Sequence, residues 1–362
     1  IALAMAIERM VLRPMINQEP IILFMATIGL NFVIEGIAQG VWDADVHALD
    51  IGIPDVPFNF YGIYISQFDI VAALIAAALV SALAIFFLHV GQVQVFEHIL
   101  AGIDTALWDL ALRASRQSFA QFMGQERLTA QSYATSINCE DLDHLIPKHA
   151  ALGQRHFKPK VGFAEHGNRD IVERANALRP PRTHIMVDSN QSWSLEQAKI
   201  CLESIGDLNP FFAEEPLPAN APKGDWEELA SATDVPLAGG ENIYGINAFL
   251  SMANAGMRVL QPDVAKWGGV SGALDLADAI PDDVPLWPHF MGTAVGQMAA
   301  LSISAAVGAT SFCEVDVNEN ALRTELCGDV ITIHDGVVSL PKAPGLVTPP
   351  LAAQLEHFHE TI

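Results

Sequence analysis

Basic residues are scarce in this 362-residue chain. Nineteen Lys and Arg stand against 42 Asp and Glu, a formal net charge of −23. Nucleic-acid binding needs a basic face that displaces counterions from phosphates, so that class is excluded. An anionic substrate is still admissible where a cation sits in the site. Charged residues of both signs reach only 17%, and hydrophobic residues make up 51%. That balance excludes intrinsic disorder. Cysteine is sparse as well. Cys139, Cys201, Cys313 and Cys327 are widely spaced and form no C-x-x-C pair. Neither a zinc ribbon nor a disulfide framework is indicated, and four reduced thiols suit the cytosolic compartment. The length implies two or three domains.

The scarcity is uneven. Residues 1–91 hold only Arg9 and Arg13, and the other 17 basic residues lie beyond. Residues 70–88, IVAALIAAALVSALAIFFL, are 19 uncharged and mostly apolar positions between Asp69 and His89. As a helix they would span about 28 Å, close to a bilayer core. Residues 21–38 form a second apolar stretch, interrupted by Asn31 and Glu35, and residues 1–7 look like the tail of a third. A buried soluble helix is the plain alternative. A cleaved signal peptide is disfavoured, because the strongest stretch lies far from the N-terminus. Arg9 and Arg13 lie in the first short link; Asp43, Asp45, Asp50 and Asp55 lie in the second. The positive-inside rule then puts the arginines, and everything after residue 88, in the cytoplasm. AMAIERMVLRPM, ATIGLNFVIEGIAQGVWDAD and the 70–88 stretch resemble the start of the permease subunit of bacterial branched-chain amino-acid ABC transporters. The segment is too short for a transport path. The resemblance implies an anchor or a remnant, inserted through residues 21–38 and 70–88.

Beyond residue 92 the pattern changes. AGIDTALWDLALRA (101–114) reads as an amphipathic helix, with Ile103, Leu107, Leu110 and Leu112 near helical spacing. Short apolar runs then alternate with helical stretches such as 195–205 and 270–280. The candidate strands are 132–137, 156–161, 184–189, 210–215, 236–241, 258–263, 284–289 and 311–316. Strands alternating with helices imply a parallel sheet. Eight such units fit a (β/α)8 barrel better than an open sheet.

Lys160, Asp188, Glu214, Glu241, Asp263, His289 and Glu314 follow one another at intervals of 28, 26, 27, 22, 26 and 25 residues. Each interval is one βα unit, and each residue sits where its strand should finish. All strands of a barrel finish at one face, so the seven side chains converge on one mouth. A single acid at a strand end is most often a helix cap, but seven in phase are hard to explain that way.

Asp188, Glu214 and Glu241 place three carboxylates on adjacent strands. Such anions repel unless a cation sits between them, and oxygen ligands of this kind suit Mg²⁺. Lys158 and Lys160 are two apart on a strand and point the same way, across the mouth from His289. Asp263 can hydrogen-bond and orient that imidazole. Bases on opposite sides of a bound carboxylate suit abstraction of the neighbouring proton, with the metal stabilising the enediolate charge. A lysine crowded by a second cation can have a lowered pKa and act as a base near neutrality.

ALWDLA (106–111), KPK (158–160), VDSNQSW (187–193), FAEEP with Glu214 first of its pair, GGEN (239–242), QPDVAKWGG (261–269), Pro288-His289, EVDVNENALR (314–323) and DGVVSLPKAPGL (335–346) run in order along this region. Together they resemble the enolase superfamily, in the mandelate racemase/muconate lactonizing enzyme family and its mandelate racemase subgroup, over residues 92–350. The resemblance implies Asp188, Glu214 and Glu241 as Mg²⁺ ligands. It implies Lys160 as the base on one face, with Lys158 close to the substrate carboxylate. His289 paired with Asp263 is the acid/base on the other face, Glu314 hydrogen-bonds the substrate carboxylate, and Asn190 and Lys266 line the site. Glu215 is set aside as a variable neighbour.

Members of that family begin with an α+β capping domain whose loops close over the barrel mouth. Here only its last helices and the C-terminal return are expected, so the cap is incomplete and apolar surface is exposed. The expected division is a permease-like segment (1–91), cap helices (92–130), a catalytic barrel (131–330) and a C-terminal return towards the cap (331–362). The expected function is Mg²⁺-dependent abstraction of the proton α to a carboxylate, foremost acid-sugar dehydration. Racemisation, epimerisation or cycloisomerisation are alternatives, and an inactive membrane-anchored fusion remnant is an alternative of another class. The expected partners are a small-molecule carboxylate and further copies of the chain, with a cytoplasmic barrel anchored by its N-terminal segment.

Overall fold

A computed structural model of the chain describes residues 57–60, 63–66, 93–126, 128–163, 167–328 and 331–346. The chain divides into two units, Ile1–Ala82 and Leu83–Ile362. The described residues of the first form one antiparallel hairpin, β1 (Pro57–Phe60) and β2 (Ile63–Ser66), with Phe60 opposite Ile63. The apolar stretches 21–38 and 70–88 lie outside the described residues. Among the described residues, no helix is long and apolar enough to cross a membrane.

The second unit starts with α1 (Val93–Ala114) and α2 (Phe119–Phe122). Strands and helices then alternate: β3 (Thr129–Ile137), α3 (Leu142–Ala151), β4 (Phe157–Pro159), α4 (Asn168–Leu178), β5 (Val187–Asp188) and α5 (Leu195–Ile205). The series continues through β6 (Ala213–Glu214), α6 (Lys223–Ala232), β7 (Leu237–Gly239), α7 (Ile246–Asn254), β8 (Met257–Leu260) and α8 (Gly269–Ala279). It ends with α9 (Ala294–Val307), β9 (Phe312–Asp316), α10 (Ala321–Thr324), β10 (Ile333–His334) and β11 (Val337–Ser339). Helix boundaries follow local chemistry. Ser194 and Gln197 form a capping box that starts α5, satisfying two orphan N–H groups reciprocally.

Parallel pairing runs around the ring. β3 pairs with β4, and β5 through β8 pair in sequence with Asp188 opposite Glu214. Bridges Phe157–Ile185 and Lys160–Asp188 join the two sets. The seventh expected strand, 284–289, is present only as the bridges Leu260–Leu286 and Asp263–His289. Pro285 and Pro288 explain this, because neither can donate to a ladder. β9 pairs parallel with β3, and Ser311 Oγ donates to the Leu286 carbonyl at 2.6 Å across the last gap. The eight expected strand segments thus form the expected (β/α)8-type ring.

The interior of the ring is apolar at one level and ionic at the next. Tyr133, Met186, Phe212, Ala238, Val259 and Trp287 pack together, with Phe312 against them. Two residues after five of these come Asp188, Glu214, Gln261, His289 and Glu314. Side chains two apart share a strand face, so each polar residue stands directly above an apolar one. A larger apolar cluster fills the space between strands and helices.

α1 docks on the start of α8 through polar contacts. Asp104 accepts from Ser271 N at 3.0 Å and Ser271 Oγ at 2.6 Å, and Trp108 Nε1 donates to Ser271 Oγ at 2.8 Å. Gly269, at φ +59, lies so close that a Cβ there would run into the Asp104 carboxylate. The reading of 101–114 as amphipathic needs correcting in one respect. Leu112 is buried, but Ile103, Leu107 and Leu110 are 51–62% exposed. The helix is held by its Asp104 and Trp108 side instead. β11 pairs antiparallel with the start of β3, after which the chain reaches α1, where Leu346 N donates to Asp109 Oδ1 at 2.8 Å.

Candidate active site

All ten residues singled out from the sequence meet in one connected network at the strand ends. On the β4 side, Lys158 is 1% exposed. Its ammonium donates to Glu214 Oε2 at 2.5 Å and Glu314 Oε2 at 3.1 Å, and lies 3.7 Å from Asp188 Oδ2. Lys160 donates to Asp188 Oδ2 at 2.7 Å and Asn190 Oδ1 at 2.6 Å. Both lysines reach Asp188, as two residues on one strand face should.

Across the mouth, His289 Nδ1 is 2.8 Å from Asp263 Oδ2. The remaining oxygen of Asp263 accepts from the Ala265 and Lys266 backbone, so the carboxylate is fixed at both ends. His289 Nε2 is 2.6 Å from Glu241 Oε2 and 3.0 Å from Glu314 Oε1. Lys266 Nζ reaches Glu241 Oε1 at 3.4 Å. Glu314 therefore links the lysine side to the histidine side.

The charge states follow from burial and neighbours. Burial pushes the Glu214 carboxyl up to about 8; Lys158 opposes this, while Asp188 and Glu314 add to it. Burial works against the charged form of Lys158, but Glu214 and Glu314 outweigh it and hold the ammonium well above its ordinary pKa. Lys158 thus faces carboxylates. For His289 burial again favours the neutral ring, yet Glu314 and Glu241 raise its pKa well above the usual value. Glu241 is held low against burial, by the His289 charge and hydrogen bond and by Lys266.

Three participants were not singled out from the sequence. Glu215, set aside as variable, is 3% exposed and accepts from Asn242 at 2.9 Å and Gln191 at 3.1 Å. Burial, then the charge of Glu241, lifts it to about 7. Gln261 donates to Glu214 Oε2 at 2.5 Å, while its own Oε1 is buried without a partner. Its place two residues before Asp263, on the same strand face, was the available signal. Asn242 ties Glu215 to Glu241, donating to Glu241 Oε1 at 3.0 Å.

Six carboxylates (Asp188, Glu214, Glu215, Glu241, Asp263 and Glu314) face three ammonium groups and one imidazole. Among the described residues, no three acidic, histidine or cysteine side chains converge closely enough to hold an ion as they stand. Asp188 and Glu214 lean onto lysines, and Glu241 leans onto His289 and Lys266. By chemistry the set fits a hard divalent cation. Its donors are all oxygens on successive strand ends, and anions are in excess.

Comparison with known proteins bears on this site. Residues 144–349 match the family model described as enolase C-terminal domain-like. The chain is 28% identical over 260 residues to an arabinonate dehydratase of Saccharolobus solfataricus, covering 68% of each chain. It is 26% identical over 265 residues to a D-galactarolactone cycloisomerase of Agrobacterium fabrum, covering 68% of this chain and 70% of that one. A mandelate racemase/muconate lactonizing enzyme of Bordetella bronchiseptica superposes with a TM-score of 0.70 at 36% identity, over 78% of this chain and 79% of that one. A mandelate racemase/muconate lactonizing protein of Paracoccus denitrificans, solved in complex with magnesium, shares the fold with a TM-score of 0.67 at 22% identity, over 78% and 79%.

Proposed function

The chain belongs to the enolase C-terminal domain-like family, and on that premise we propose that it removes the proton α to a carboxylate from a hydroxy acid, foremost to dehydrate an acid sugar. One observation carries the reading. Lys160 on one side and the His289–Asp263 pair on the other flank a single carboxylate cluster, joined through Glu314.

In this assignment Asp188, Glu214 and Glu241 hold Mg²⁺. When bound, Mg²⁺ supplies positive charge that stabilises the enediolate. Lys158, buried and protonated, faces the substrate carboxylate, and Glu314 hydrogen-bonds it. Asn190 and Lys266 line the path in. Lys160 takes the α-proton, and the C–H electron pair passes into the enediolate. His289, which carries a proton at Nε2, delivers it to the departing β-hydroxide, so that water leaves. The enol then tautomerises to the 2-keto acid. Asp263 keeps the imidazole oriented, so the proton is offered from one nitrogen only.

Proton carriers on both sides also favour a second reading, racemisation or epimerisation. The two separate on their products. The full chain, solubilised in detergent, is incubated with Mg²⁺ in D₂O with acid sugars and α-hydroxy acids. Dehydration yields a 2-keto acid; racemisation yields the inverted isomer carrying deuterium. Loss of either product in Lys160→Ala supports Lys160 as a base, and retained turnover removes it from that role. No product and no exchange on any acid favours an inactive remnant. The apolar stretches 21–38 and 70–88 support a membrane-anchored barrel, and release of the chain by a carbonate wash would count against it.

A further inference from the structure

We propose that Tyr244, positioned by His98, determines substrate specificity by hydrogen-bonding a hydroxyl beyond the reacting carbons; this rests on the hydroxy-acid reading above. Tyr244 lies three residues after Glu241, on the loop that leads from β7 to α7. Its hydroxyl is 3.2 Å from His98 Nε2, and the two rings stack with centroids 6.2 Å apart and planes 24° apart. His98 comes from α1, outside the barrel and 146 residues away in sequence. The placement of α1 is fixed by the Asp104–Ser271 contacts at the start of α8, just after the loop that carries Asp263 and Lys266. The ring pair is therefore held against the histidine side of the mouth by an element that makes no barrel strand.

Burial raises the Tyr244 phenol and lowers the His98 ring, and the charges of Lys266 and Asp263 act on both. Two other polar groups on this rim are committed. Lys266 is on Glu241, and Asn242 is shared between Glu215 and Glu241. The Tyr244–His98 pair keeps capacity. A phenol has one donor and two lone pairs, and a neutral imidazole has one donor and one acceptor. After their mutual bond, the phenol can still accept, or can donate where Nε2 carries the proton. A hydroxyl, itself donor and acceptor, matches that capacity in either state. An aliphatic chain does not. His98 is exposed and Tyr244 half-buried, so a substrate chain can reach both.

The test compares D-arabinonate with 2-hydroxypentanoate, which has the same five-carbon chain without the distal hydroxyls. Binding to the full chain in Mg²⁺ is measured by calorimetry, and α-deuterium exchange is followed in parallel. The preference for arabinonate, as a ratio of affinities, should fall about tenfold in Tyr244→Phe, the size of one lost hydrogen bond. It should fall less in His98→Ala, and no further in the double variant than in Tyr244→Phe, because the histidine acts through the tyrosine. An unchanged ratio, or equal weakening of both ligands, overturns the proposal. Binding without exchange by the unaltered chain overturns the catalytic reading alone. Failure of the unaltered chain to bind either acid overturns both.

Discussion

Lys158→Met tests the buried half of the network. The ammonium is 1% exposed and holds Glu214 at 2.5 Å and Glu314 at 3.1 Å. Methionine keeps the length of the stem and fills the same space, so the change is chiefly one of charge. Removing one partner of a buried ion pair costs about 3–5 kcal/mol, because the other charge is left uncompensated. Glu214 has an escape. Its carboxyl is already lifted to about 8, so at neutral pH it takes up a proton instead of standing as a bare anion. The loss should therefore lie at the low end, about 3 kcal/mol. For a domain of this size each kcal/mol moves the melting temperature by about 2–4 °C. The expected fall is about 6–12 °C, read by far-UV circular dichroism of the full chain in EDTA at pH 7. A second variant isolates the cause. Lys158→Met with Glu214→Gln removes the carboxyl that must otherwise be held protonated but keeps an acceptor for Gln261 Nε2, and should regain part of the loss. A single variant that melts within about 2 °C of the parent, or a double variant that melts lower than the single, would refute the reasoning.

Three other perturbations probe separate parts of the molecule. Mg²⁺ at a hundredfold excess over its Kd should stabilise the chain by about 2.7 kcal/mol, and Asp188→Asn should abolish the shift; an undiminished shift in that variant would move the cation elsewhere. Asp104→Ala should cost about 1–2 kcal/mol by uncapping Ser271 N, and hydrogen exchange in the first turn of α8 should quicken; unchanged exchange there would show that α1 is held by other contacts. His156 is lowered to about 4, first by burial and then by the charges of His184 and Arg155. The unfolded chain therefore binds its proton first as pH falls, so stability should drop between about pH 6.5 and 4 and level off below. The ring is partly exposed and screened, which leaves about 1–2 kcal/mol, and His156→Phe should flatten that segment of the pH–stability curve.

Much of this architecture is legible because the barrel repeats one physical pattern. Each strand alternates with period two, so a polar residue at the strand end stands above an apolar one two positions earlier, as Asp188 does above Met186 and His289 above Trp287. Spacing of 22 to 28 residues then suffices to bring Lys160 and Glu314 to the same mouth. Periodicity is less informative where it competes with other chemistry. The 284–289 strand reads as apolar and extended, yet two prolines reduce it to bridges. The apolar spacing of α1 does not reveal that the helix docks through Asp104 and Trp108, because those hydrogen bonds depend on Ser271, far along the chain.

The pairings inside the site were illegible for a related reason. Spacing tells which carboxylates arrive at the mouth, but not which cation each one meets. Glu214 and Glu215 are neighbours in sequence, and both are buried. The strand pleat turns Glu214 down onto Lys158 and Gln261, while Glu215, at φ +42, turns along the rim to Asn242 and Gln191. A residue dismissed as variable thereby becomes the anion next to Glu241. Glu314 shows the converse. Its two oxygens point to opposite sides, one to Lys158 and one to His289. A single carboxylate thus joins Lys158, which sequence reasoning places at the substrate carboxylate, to His289, which it places on the opposite face as acid/base. Removing that carboxylate should therefore disturb the lysine and the histidine side of the mouth together.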